Sequence, residues 1–170
     1  MDVKIWSRIK MLEFINKHKD EIDLVNIISI HGVFSPPIFK EKSKNILQLK
    51  FDDIIPVDLN HFSPHERQKY TLFDENHAKE IIDFLKIIDV EKPLLINCMA
   101  GQCRSAAIGV YAQAKLGTIK ETGLLFNTYI IDPNEHVLSI LNKVSPLPEN
   151  IFEEIKGFIK NNPYLLQKLF

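Results

Sequence analysis

Leu94-Leu95-Ile96-Asn97-Cys98-Met99-Ala100-Gly101-Gln102-Cys103-Arg104-Ser105-Ala106-Ala107 is the stretch on which the reading of this chain turns. An apolar run ends in a cysteine, an arginine follows six residues later, and small residues continue from there. Strand, tight loop and helix is the order this implies. Ligands of open α/β sheets bind at the carboxyl ends of the strands, and a turn that feeds a helix N-terminus aims several backbone N–H groups at one point. Gly101 permits the tight path and a close backbone approach. Arg104 offers a planar, two-pronged grip on an oxyanion. The expectation is a dianion pocket formed by Met99, Ala100, Gly101, Gln102, Cys103 and Arg104, with the Cys98 sulfur at its floor.

A phosphate-like ligand and a thiol in one cup suggest one reaction. The loop amides, the helix dipole and Arg104 all favour a thiolate. The thiolate attacks phosphorus to give a phosphocysteine, and the cup stabilises the charge on the transferring oxygens. Ser105 can donate a hydrogen bond to the sulfur and improve it as a leaving group when water attacks. Cys103 reads as a packed residue of the loop wall; a reversible Cys98–Cys103 bond is its alternative role.

Outward from the loop, short apolar runs alternate with helical patterns, which predicts an α/β fold with a mainly parallel central sheet of four to five strands flanked by helices. The predicted strands are residues 3–6, 24–30, 46–51 and 94–97, and the first helix runs over 8–18. Ala78, Ile81, Ile82, Leu85 and Ile88 recur at helical spacing behind a cap at Asp74 or Asn76. Ala106, Ala107, Gly109, Val110, Ala112 and Ala114 form a small-residue helix that ends at Gly117 and can lie close to a sheet. Asp132-Pro133-Asn134-Glu135 reads as a helix start with Asp132 as the cap. A last helix carries Ile151, Phe152, Ile155, Phe158 and Ile159 on one stripe. Residues 54–73, with Pro56, Pro64, His61, His65, Glu66, Arg67 and Tyr70, have no clean period and read as a long loop.

The totals fit one domain over residues 1–170: 170 residues, 45% hydrophobic, 25% charged. A net charge of -1 gives no basic field for nucleic acid or an anionic membrane. Cys98 and Cys103, only five positions apart, are no disulfide framework and fit a reducing compartment. No apolar run matches a signal peptide or a membrane span. The expectation is a soluble cytoplasmic monomer that binds neither nucleic acid nor membrane and needs no metal or cofactor.

Cys-x5-Arg-Ser, with glycine at the fourth loop position and a strand before it, resembles the signature of the protein tyrosine and dual-specificity phosphatases. The wider frame is similar to small microbial tyrosine-phosphatase-like proteins, through Leu49-Lys50-Phe51-Asp52-Asp53-Ile54 after a strand and the late Pro133-Asn134. The resemblance covers roughly residues 27–144. It implies Cys98 as nucleophile, Arg104 and the loop as phosphate grip, Ser105 as helper of the leaving thiolate, and an aspartic general acid upstream. Asp53 matches that acid best by position and Asp52 comes next; Asp58 takes the role if its loop folds back. From Asp53 to Cys98 is 45 residues, longer than the usual dual-specificity spacing. Members of the family mostly carry histidine before the cysteine, where this chain has Asn97.

The resemblance therefore implies a metal-independent phosphomonoester hydrolase acting on phosphotyrosine, with phosphoserine or phosphothreonine as further substrates, in a protein or small phosphomonoester substrate. Met99, Ala100 and Gln102 are uncharged. Family members that take phosphoinositides add lysines inside the loop, so a singly phosphorylated substrate is favoured. The alternative is a catalytically weak pseudophosphatase that binds phosphorylated partners, for which Asn97 is the support. Sulfur transfer, as in rhodanese-like domains, fits a Cys-x5-Arg loop poorly.

Overall fold

The computed structural model describes residues 1–40 and 43–161. Four strands form one sheet: β1 (Val3–Ser7), β2 (Asn26–His31), β3 (Ile46–Lys50) and β4 (Leu94–Cys98), in the order β1-β4-β2-β3. Every pair is parallel, with Ile5 opposite Ile96, Ile96 opposite Ile28 and Ile28 opposite Leu47. The two central strands, β2 and β4, are buried along almost their whole length. That is why they read as continuous apolar runs rather than as alternating ones: a parallel sheet is covered on both faces.

Helix α1 (Arg8–Lys17) covers one face, with Met11 packed on Val25, Ile27 and Leu95. The larger core lies on the other face beneath α3 (Glu75–Ile87), α4 (Arg104–Leu116), α5 (Ile119–Thr128), α6 (Glu135–Val144) and α7 (Glu149–Lys160). Helix α4 sits directly on β1 and β4 and is flanked by α5 and α6. Its small residues set that approach. A side chain at Gly109 would place Cβ 2.9 Å from Ile5 Cγ1. No helix of the described residues is long and apolar enough to cross a membrane.

Several expectations shift by a few residues. The second strand begins at Asn26, because Lys19–Leu24 winds into a 3₁₀ turn that leaves Leu24 exposed. Asp74 caps α3 as expected, accepting from the N–H groups of Asn76 and His77. The cap of α6 is Asn134, which accepts from Val137 N–H at 3.1 Å, and not Asp132. Asp132 is held one step earlier, its own N–H donating to the Gln102 carbonyl at 2.9 Å. Residues 54–73 are less irregular than expected: they hold a 3₁₀ turn (Asp58–His61) and a one-turn helix, α2 (Pro64–Arg67), closed by a Ser63–Glu66 capping box. Helix α5 has no counterpart in the reading above, although Thr118 and Glu121 form a capping box at its start.

Replacing Gly109 by valine is expected to force α4 away from β1 and to lower stability by roughly 1–3 kcal/mol. Urea denaturation reads this directly; an unchanged midpoint would show that the helix–sheet gap has room to spare.

Candidate active site

Strand β4 delivers Cys98 to the carboxyl edge of the sheet, and residues 99–103 turn there into α4. Gly101 makes the turn with φ of 77°, and a Cβ on it would stand 2.6 Å from the Ser7 nitrogen. Positive φ and lack of room both require glycine at this point.

The carbonyls of the loop are pulled outward. Arg8 N–H donates to Met99 O at 3.1 Å, Asp132 N–H to Gln102 O at 2.9 Å and Asn134 N–H to Cys103 O at 3.2 Å. In a planar trans peptide the N–H points opposite to the C=O. The amides of Ala100, Cys103 and Arg104 are thereby turned away from those anchors. Gly101 N–H donates to Cys98 Sγ at 3.3 Å. Side chains of Ser7, Asp74, Thr118 and Asn134 cap α1, α3, α5 and α6, whereas no side chain caps α4. Its first-turn N–H groups therefore have no side-chain cap among the described residues, as at α7.

Cys98 Sγ is buried and 3.1 Å from Ser105 Oγ. The Arg104 side chain is only 9% exposed. One terminal nitrogen, NH1, donates to the Phe51 carbonyl at 2.9 Å, which fixes the plane of the guanidinium. Its Nε is buried with no hydrogen-bond partner among the described residues and stands 3.9 Å from Asp53 Oδ2.

The three aspartates differ sharply in placement. Asp53 is exposed at the edge of the site, facing Arg104 through Oδ2 and accepting from Asn134 Nδ2 through Oδ1 at 2.9 Å. Asp52 is buried and spends both oxygens on backbone N–H groups, those of Val33 and Thr71. Asp58 turns back to its own segment and accepts from Ile55 N–H at 2.9 Å. Beyond Asp53 opens a cavity of about 780 Å³, lined among others by Ile55, Val57, Cys103 and Asn134. Arg104 and Asn134 thus hold Asp53 between the loop and open space.

Both cysteines are free thiols. Burial, followed by the negative charge of Asp53 and a hydrogen bond to it, pushes the Cys103 thiol up to about 12. Cys103 therefore stays protonated at neutral pH and donates toward Asp53. Asn97 lies on the α1 side of the sheet, the pleat having turned it away from the face that carries Cys98. It is fully buried, and neither end of its amide bonds to the loop. Of the polar residues on 61–67, Glu66 belongs to the capping box and Arg67 Nε donates to the Phe62 carbonyl. His136 bonds to the Phe73 carbonyl, and His77 to Lys50 O and the Asp74 N–H.

Sequence reading missed three contributors: the Phe51 carbonyl that orients Arg104, Asn134 that holds Asp53, and Gly32. A Cβ on Gly32 would run into Asp52 Oδ1 and lie 3.4 Å from Arg104 NH1. The His31-Gly32 pair directly after an apolar strand was the available signal.

No protein-family model and no curated protein matches the chain. Among solved structures it is similar to PTPMT1, in complex with PI(5)P, at 11% identity over 92% of this chain and 93% of that one, with a TM-score of 0.47. It is also similar to DUSP15, at 15% identity over 91% of this chain and 90% of that one, with a TM-score of 0.45. Both are dual-specificity or tyrosine-phosphatase-like proteins.

Removing the Asp53 charge should let Cys103 ionise at lower pH, since a neighbouring anion disfavours the thiolate. In a Cys98→Ser background, thiolate absorbance near 240 nm is expected to rise at lower pH once Asp53→Asn is added. Coincident titration curves would show that Asp53 does not act on this thiol.

Proposed function

We propose that the chain is a phosphomonoester hydrolase acting on phosphotyrosine, and also on phosphoserine or phosphothreonine, through a phosphocysteine intermediate. The observation that carries this reading is the Arg104 Nε: a buried guanidinium N–H with no hydrogen-bond partner among the described residues, 3.9 Å from Asp53 Oδ2, on the residue that closes the Cys98 loop. A buried donor without a partner is costly, by about 1–3 kcal/mol, and a phosphoryl oxygen supplies the partner. The uncharged Met99, Ala100 and Gln102 match one phosphate rather than several.

In this reading the phosphoryl group sits on the loop amides and Arg104. Cys98, as thiolate, attacks phosphorus; the S–P bond forms as the bond to the leaving oxygen breaks. Asp53, as the carboxylic acid, gives its proton to that oxygen, and the leaving group departs. Water then attacks the phosphocysteine, Asp53 takes up its proton, and phosphate leaves with Cys98 again a thiolate. Ser105 Oγ, 3.1 Å from the sulfur, hydrogen-bonds to it as its charge returns. Every step uses groups of the chain and water, so we read the enzyme as metal-independent. We further read residues 1–170 as one domain, acting as a cytoplasmic monomer that binds neither nucleic acid nor membrane.

Hydrolysis of p-nitrophenyl phosphate tests the scheme. Turnover is expected to persist in EDTA, to be inhibited by vanadate and to vanish in Cys98→Ser. Phosphate binding without turnover in the wild type would favour the alternative, a pseudophosphatase that holds phosphorylated partners.

The acid is tested separately. Asp53→Asn should lower kcat by about 10²–10⁴-fold and remove the high-pH fall of the rate profile. That fall reflects loss of the acid's proton as pH rises, so deleting the acid deletes the limb. Asp58→Asn should leave the limb in place; the opposite pattern would move the role to Asp58.

A further inference from the structure

Asp52 takes no part in the chemistry above, yet it is the more firmly held of the two adjacent carboxylates. It is buried; Oδ1 accepts from Val33 N–H at 3.0 Å and Oδ2 from Thr71 N–H at 2.9 Å. Its own N–H donates to the Thr71 carbonyl at 2.8 Å. One residue earlier, Phe51 donates its N–H to the His31 carbonyl at 3.0 Å and accepts Arg104 at 2.9 Å. Three segments distant in sequence meet at one carboxylate beside the guanidinium. Gly32 marks how tightly they meet, since any side chain there would collide with Asp52.

Both pinned segments lead at once to aromatic rings. Phe34 follows Val33 and is 78% exposed. Tyr70 precedes Thr71 and meets Phe34 edge-on, with ring centres 6.2 Å apart. Tyr70 also stacks on Phe62 at 5.0 Å. The three rings make one contiguous apolar surface that begins two residues from Gly32, and Gly32 lies against Arg104.

We infer that Asp52 is a positioning residue: its carboxylate straps the Val33 and Thr71 segments together, so that Phe34, Tyr70 and Phe62 stand beside the phosphate loop as a seat for the ring of an aryl phosphomonoester. This rests on the phosphate reading of the loop and names the substrate class it favours. The chemistry of the strap requires a carboxylate. Two N–H donors face the two oxygens, and an ionised carboxylate is acceptor-only. An asparagine of the same shape can accept from one of them and turns its NH₂ against the other. An aryl ester holds its ring rigidly near the phosphorus, where this wall can meet it edge-on or stacked. A small alkyl ester has no face to offer.

The test reads binding, with no need for turnover. NMR titration with benzylphosphonate and with methylphosphonate is run on wild type, Asp52→Asn and Phe34→Ala, alongside amide exchange at Val33 and Thr71. Asp52→Asn is expected to speed exchange at one or both amides about tenfold, as loss of one hydrogen bond implies. It should weaken benzylphosphonate by about tenfold while leaving methylphosphonate within about twofold. Phe34→Ala, at an exposed position the fold does not depend on, should show the same selective loss without faster exchange. Equal weakening of both phosphonates, or no weakening of either, would overturn the strap. A wild type that binds neither phosphonate would instead overturn the phosphate reading itself, and the aryl seat with it.

Discussion

A guanidinium buried as deeply as that of Arg104 has to have its donors spoken for, and the geometry around it follows from how that is done. NH1 is satisfied within the protein by the Phe51 carbonyl, which anchors the side chain at the end of β3. Nε has no hydrogen-bond partner among the described residues and stands 3.9 Å from the carboxylate of Asp53. The end of β3, the loop after β4 and the first turn of α4 are brought to register by this one side chain. Displacing it would separate Asp53 from the loop.

The parallel sheet makes this convergence possible. β2, β3 and β4 run the same way, so His31-Gly32, Phe51-Asp52-Asp53 and Cys98 all emerge at one edge. Two neighbouring carboxylates then divide the work by burial. Asp52, enclosed and committed to two backbone amides, orders its surroundings. Asp53, exposed and held by a side-chain amide and a distant guanidinium, remains available to a ligand. The loop's two thiols divide in the same way: Cys98 Sγ accepts from Gly101 N–H, whereas Cys103 is kept protonated by burial and by Asp53.

Much of this was legible in the chain. The strand–cysteine–glycine–arginine order located the turn between β4 and α4, because a five-residue connection leaves the backbone little freedom once glycine occupies the turn. The α/β architecture followed from the apolar runs, and the close approach of α4 from its small residues. Errors arose where one local signal competed with another. Asp132 and Asn134 are both good caps, and a long-range bond to Gln102 decides between them by holding residue 132 outside the helix. Helix α5 was overlooked despite its Thr118–Glu121 box, since its apolar stripe is short. Asn97, which stands where the resembled family mostly has histidine, is sent by the pleat to the α1 face, away from Cys98.

Residue order alone determined the chemistry on offer: a thiol, a guanidinium, a hydroxyl and a run of amides brought together within eight positions, from 98 to 105. That much is local, because a short loop between a strand and a helix has few ways to fold. Which carboxylate faces the guanidinium, which one straps two loops, and which aromatic rings meet across them are relations over about 20 to 50 positions of chain. They depend on strand order and on the direction in which each side chain leaves its pleat. Only the packed sheet decides them, since Asp52 and Asp53 are chemically identical until one is buried and the other is not.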